Sequence, residues 1–226
     1  FTDMGRTLAT THDIGHVFYA RPDGSAISRV RTGLHSPNGI GLSPDGKRVY
    51  IAETGTSRVW CHDVVAPGKI APSGNIWTPG DILGPLPGYQ LLDSLAVDST
   101  GNVCVATLIR GGITIFAPDG SRTTHVAVPD LATTNICFGG KGLRTAYATL
   151  SMTGKLVSFC EKNNLQLHQV PDADLAAIST KLTPEVRSVL TVDGSIRSRT
   201  GAGGTALPRV IEQISSLRKL LARREA

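Results

Sequence analysis

"DSLAVDSTGNVCVAT" (Asp93–Thr107) decides how this chain is read. A carboxylate stands first, apolar residues follow at alternate positions, a Gly-bearing turn comes next, and a second apolar run closes the stretch. That is the pattern of a buried hairpin. Two other segments align with it: "NGIGLSPDGKRVYIAE" (Asn38–Glu53) and "TNICFGGKGLRTAYAT" (Thr134–Thr149). Ile40 and Leu42 match Leu95 and Val97, and these match Ile136 and Phe138. Gly46, Gly101 and Gly142 share the turn position, where positive φ is wanted. The copies start 55 and 41 residues apart. A four-stranded unit recurring on that scale marks a β-propeller. Asp23-Gly24 and Asp119-Gly120, each between alternating runs, predict two further hairpins. An open β-sandwich would explain the turns but not the register of the repeats.

Composition agrees. The 226 residues are 40% hydrophobic and only 5% aromatic, with 25 Gly and 13 Pro, a balance that fits many short strands joined by tight turns. The net charge of +5 is scattered, apart from "RKLLARREA" at the C-terminal end. Without a basic stripe interleaved with aromatics, a nucleic-acid partner is not expected. No apolar run reaches the length of a membrane span, so no membrane partner is expected. Cys61, Cys104, Cys137 and Cys160 are far apart and fall in strand-like runs. Buried free thiols and a reducing, cytoplasmic location are expected from them.

In a propeller, equivalent positions of successive blades converge on the central channel. Asn38, Asp93 and Thr134 hold one such position, so three oxygen-bearing side chains would meet at one mouth. An amide oxygen and a carboxylate suit a hard divalent cation such as calcium. The plainer alternative is that Asn38 and Asp93 only cap turns.

"SPNGIGLSPDGKRVYIAETGTSRVW", "LLDSLAVDSTGNVCVAT" and "TTNICFGG" resemble the senescence marker protein (regucalcin)/gluconolactonase/luciferin-regenerating enzyme family over residues 1–168. The resemblance implies a six-bladed propeller with a divalent cation in its channel, calcium foremost and zinc or magnesium as alternatives. It also implies hydrolysis of a small-molecule sugar lactone. Asn38 and Asp93 would be metal ligands, and Asp93 also the catalytic general base. Thr134 and Asn135 would line the channel in a supporting role. Apart from the resemblance, His12 lies in a loop that could reach the channel mouth and touch substrate, the plainer alternative being a polar loop residue. The family's metal-binding glutamate and a further channel asparagine would lie upstream of Phe1. Glu53, the one glutamate inside a repeat, stands at the far end of its hairpin. At the observed period residues 1–168 make three to four blades, so the expectation is an all-β partial propeller with open edges. Such edges invite a second copy or a partner chain.

Past "LQLHQ" the apolar period changes from two to 3.6. Residues 169–226 are expected to be a helical appendage. Its last helix, from about Ala206 to Arg224, carries Val210, Ile211, Ile214, Leu217, Leu220 and Leu221 on one face. "LTPEVRSVLTVDGSIRSRTGAGGTALPRVIEQISSLRKLL" resembles the C-terminal end of argininosuccinate lyase. That family's signature loop, "GSSxMPxKxNP", is absent, so no lyase residue carries over. The competing expectations are therefore a lactone hydrolase, a non-catalytic propeller remnant with an interaction helix, and a non-catalytic lyase assembly segment.

Overall fold

The computed structural model describes residues 1–72, 77–78, 80–84, 86–160 and 168–169. Apart from one short 3-10 turn at Lys141–Leu143, their regular structure is all strand. The first sheet has the order β1-β2-β3, from β1 (Thr2–Asp3), β2 (Gly15–Ala20) and β3 (Ile27–Leu34). The second follows as β4 (Pro37–Leu42), β5 (Arg48–Glu53), β6 (Arg58–Ala66) and β7 (Lys69–Ile70), with β8 (Asp81–Ile82) pairing onto β6. The third comprises β9 (Leu91–Val97), β10 (Val103–Leu108), β11 (Gly112–Phe116) and β12 (Thr123–Ala127) in simple succession. The fourth has the order β13-β14-β15-β16, from β13 (Thr133–Gly139), β14 (Thr145–Leu150), β15 (Lys155–Cys160) and β16 (His168–Gln169). Every pairing whose register is defined is antiparallel, as neighbours joined by short turns require. These are propeller blades. Each of the three aligned segments opens a sheet with its first strand.

The turns form for local reasons. Gly46, Gly101 and Gly142 have φ of 70°, 89° and 67°, and Gly24 and Gly120 both have 73°. All five positions expected from the sequence are left-handed, where a side chain would strain the backbone. The aspartate of each turn closes it. Asp23 Oδ1 accepts the Ser25 amide and Asp45 Oδ1 the Lys47 amide; Asp98 Oδ1 accepts two amides, Thr100 and Asn102. These are Asx turns, in which the side chain imitates a backbone acceptor.

The compact units are Phe1–Ile136 and Cys137–Ala226. In the first, two apolar clusters hold the sheets face to face. Val17, Leu34, Val49, Ile51 and Trp60 fill the space between the first and second sheets. Tyr50, Val59, Leu92, Leu95, Val103, Val105 and Phe116 fill that between the second and third. Burying each large side chain stabilises the fold by about 1.5–3 kcal/mol, and the strand alternation of inward and outward residues makes that burial possible on one face at a time. In β10 both faces are covered, and Val103 to Thr107 are all buried. Cys61, Cys104 and Cys137 are free thiols, the first two buried. The helical segments expected within residues 169–226 lie outside the described residues. Among the described residues no helix is long and apolar enough to cross a membrane.

Candidate functional site

The opening strands β4 and β9 belong to adjacent sheets and lie against one another. Asn38 is the second residue of β4 and Asp93 the third of β9. What lets the two backbones approach is Gly39. A β-carbon there would stand 2.5 Å from the Leu95 amide nitrogen and 2.7 Å from the Asp93 carbonyl oxygen. Only hydrogen fits. Two residues on, a β-carbon at Gly41 would meet the Leu95 side chain at 2.8 Å. The "NGIG" spacing of glycines thus presses β4 onto β9 and sets Asn38 beside Asp93.

The pair is in contact. Asp93 is 6% exposed, and burial pushes its carboxyl up to about 6; hydrogen bonds from the Asn38 side chain and the Ser94 amide pull the other way. Desolvation penalises the charged form, while a donor to the carboxylate favours it. Desolvation wins here. Among the described residues, Asp93 Oδ1 is buried and has no hydrogen-bond partner. A carboxylate oxygen left unsatisfied in the interior is costly and unusual. It is a feature of sites that receive a ligand.

A loop holds both strands at their entrance. Residues 53–57, "ETGTS", follow β5. The Thr54 amide bonds the Ser36 carbonyl and the Gly55 amide the His35 carbonyl, both at 3.0 Å, just ahead of Asn38. The Thr54 hydroxyl donates to the Leu92 carbonyl at 2.5 Å, directly before Asp93. Ser57 Oγ donates to the Gln90 carbonyl and accepts the Gln90 amide. On the other side of β4, the Thr2 hydroxyl donates to the Asn38 carbonyl at 2.5 Å.

The remaining sequence candidates are placed as follows. His12 is exposed, with Nδ1 2.8 Å from the Thr7 hydroxyl and Nε2 3.1 Å from that of Ser36. It therefore stands two residues in sequence from Asn38, through Ser36, with both ring nitrogens engaged. Asn135 is buried and accepts the Ile136 amide at 2.8 Å through its Oδ1, so this oxygen is spent on its own strand. Thr134 is half-buried at the head of the fourth sheet. Glu53 is 1% exposed and fully partnered. Its Oε1 accepts the His35 amide at 2.5 Å, and its Oε2 accepts the Thr56 hydroxyl and the Trp60 indole N–H, the latter at 2.8 Å. With no free lone pair turned outward it is a structural acceptor rather than a ligand.

Asn38 and Asp93 offer two hard oxygens, and the orphaned Asp93 Oδ1 fits a cation's demand for an uncommitted donor. Calcium takes six to eight. Among the described residues no group of three or more His, Cys, Asp or Glu side chains stands close enough to hold a metal. The pair therefore fits part of a coordination shell.

The model of the SMP-30/gluconolactonase/LRE-like region matches residues 1–152. The chain belongs to this family. Solved structures agree on the fold. The periplasmic gluconolactonase of Pseudomonas aeruginosa superposes with a TM-score of 0.55 at 16% identity, over 75% of this chain and 52% of that one. A calcium-binding protein, regucalcin, from Agrobacterium tumefaciens gives 0.51 at 19% identity, over 72% and 48%. A luciferin-regenerating enzyme gives 0.51 at 24% identity, over 61% and 44%. Residues 140–197 match the C-terminal model of argininosuccinate lyase, overlapping the propeller match. The argininosuccinate lyase of Leifsonia xyli subsp. xyli is 59% identical over 78 residues, which cover 33% of this chain and 16% of that protein. That of Thermobifida fusca is 38% identical over 138 residues, covering 60% and 27%. The chain thus spans less than a third of the curated relatives it matches.

Proposed function

We propose that the Asn38–Asp93 pair is the reacting centre of a lactone hydrolase, acting on a small sugar lactone with the help of a divalent cation. The observation that carries this reading is a buried carboxylate with one oxygen unpartnered, set beside an amide, in a family named for its gluconolactonase members.

The chemistry follows from the pair. A carboxyl with a pKa of about 6 is ionised at neutral pH, yet a stronger base than a solvated aspartate. Asp93 Oδ1 takes a proton from water as the water oxygen bonds to the lactone carbonyl carbon. When the tetrahedral adduct collapses, the ring C–O bond breaks and the proton passes to the departing ring oxygen. The product is an open hydroxy acid. Asn38, through its bond to Asp93, holds the carboxylate in one rotamer while this happens. A cation held by Asn38 and Asp93, calcium by preference for all-oxygen ligands, would polarise the carbonyl and ease deprotonation of water. His12 would meet the substrate's hydroxyls only by giving up its bond to Thr7 or Ser36, and Thr134 and Asn135 would line the channel further on.

The test is hydrolysis of glucono-lactone followed by pH-stat. General-base contributions run to about 10²–10⁴-fold, so Asp93→Asn should lose at least a hundredfold in kcat. Equal turnover by Asp93→Asn and the unaltered chain would refute the reading. For residues 171–226 we propose a second role, a non-catalytic assembly segment, on the strength of the similarity of residues 140–197 to the lyase C-terminus. Sedimentation showing the same number of chains per particle with and without residues 171–226 would refute it.

A further inference from the structure

Glu53 is a carboxylate buried in the core, a setting that calls for a task. Its three partners define one. His35, whose amide it accepts, lies three residues before Asn38. Thr56 belongs to the loop whose neighbours Thr54 and Ser57 grip Leu92 and Gln90, just before Asp93. Trp60, donating its indole N–H, anchors the carboxylate to β6 in the core between the first two sheets. The carboxylate is thus a fixed post from which one chain of bonds runs to the entrance of β4 and another to the entrance of β9.

The backbone shows that these bonds hold something in place. Ser36 and Ser57 have φ of 55° and 58°, left-handed values that non-glycine residues adopt at a cost. Ser36 is bonded by the Thr54 amide, and Ser57 is held by two hydrogen bonds to Gln90. Such conformations persist where surroundings over-determine them, and Glu53 bonds the residue next to each, His35 and Thr56.

We infer that Glu53 is a positioning residue that sets the separation and orientation of Asn38 and Asp93 by ordering the 54–57 loop across the seam between their two strands. The inference rests on the hydrolase reading for its functional meaning, but its structural content stands apart from it.

The experiment compares the full chain with Glu53→Gln and with Ile113→Val, a buried change in the third sheet matched for loss of thermal stability. Two quantities are read. The first is the chemical shift of the Asn38 side-chain amide, assigned through Asn38→Ser. The second is glucono-lactone turnover. Glu53→Gln should move the Asn38 resonance and lower kcat tenfold or more, while Ile113→Val, at equal melting temperature, should do neither. An unmoved Asn38 resonance in Glu53→Gln would overturn the inference, as would an equal loss of turnover in both variants. If the resonance moves but the unaltered chain shows no turnover, the positioning role stands and the hydrolase reading falls.

Discussion

Gly39 faces Leu95 across the seam between two blades so closely that a β-carbon would reach to 2.5 Å of the Leu95 amide nitrogen. The atoms in the way are backbone, which cannot rotate aside as a side chain could. The approach that brings Asn38 to Asp93 is therefore written into one missing methyl group.

Gly39→Ala must push β4 from β9. Overpacking of this kind costs about 1–3 kcal/mol. At roughly 2–4 °C per kcal/mol for a chain of this size, calorimetry should show a fall of several degrees. Hydrolysis should fall further than the melting temperature alone explains, because the pair is pulled apart. A Gly24→Ala control, at a φ of 73° with open space around it, should cost stability without that extra loss.

Asp93 should destabilise the ion-free fold at neutral pH. Its folded pKa of about 6 lies above the ordinary aspartate value of 3.8, so the folded state binds the proton more tightly. The resulting stabilisation is complete below the unfolded pKa and disappears as pH rises through 6. At pH 7, in chelator, Asp93→Asn should be more stable than the unaltered chain by about 3 kcal/mol, taking 1.36 kcal/mol per pKa unit. By pH 3.5 the advantage should vanish. Denaturant titrations at the two pH values check it.

His62 should tilt stability the opposite way. It is 4% exposed, and its pKa is lowered to about 4, first by burial and then by the Arg31 charge, with Asp81 and Asp63 opposing. A depressed folded pKa gives stability that is present above the unfolded value near 6.5 and lost as pH falls towards 4. Relative to His62→Phe, the chain should lose about 2–3 kcal/mol over that window. Because the Asp93 and His62 slopes have opposite signs between pH 4 and 6, each shows only as a difference between variant and parent.

Removing the Glu53 carboxylate leaves the His35 amide, the Thr56 hydroxyl and the Trp60 indole without their acceptor. Each buried donor left without an acceptor costs about 1–3 kcal/mol. Glu53→Ala should accordingly be less stable than Trp60→Phe, which removes one donor and part of the ring's packing. Equal losses on urea titration would contradict this account of Glu53.

The blade repeat and its turns were legible in the sequence because their causes are local. A left-handed residue asks for glycine, as at Gly46, Gly101 and Gly142, and an Asx turn asks for aspartate, as at Asp45 and Asp98. Asn38 and Asp93 were legible for a related reason: equivalent register in neighbouring blades places them at equivalent strand positions. What holds them was hidden. Glu53 appeared only as a carboxylate at the far end of a hairpin, which is where it stands. Its partners come from the turn before β4 and from the next strand, and no period in the sequence announces a bond across a seam. Gly39 was equally silent, since a glycine needed for close approach looks like any other. The bond between His12 and Ser36 depends on how one loop folds over another, and Asn135 spends its oxygen on a neighbouring amide that alternation could not foresee.

The central claim is that two oxygens from adjacent blades share one ligand. Calcium titration by calorimetry, on the full chain and on Asn38→Ala and Asp93→Asn, tests it most directly. With only two side-chain oxygens from the pair, binding should be weak for a protein site, with Kd of about 0.1–1 mM, one ion per chain, and no heat of binding in either variant. Binding that survives both substitutions, or no binding in the unaltered chain, would contradict the account.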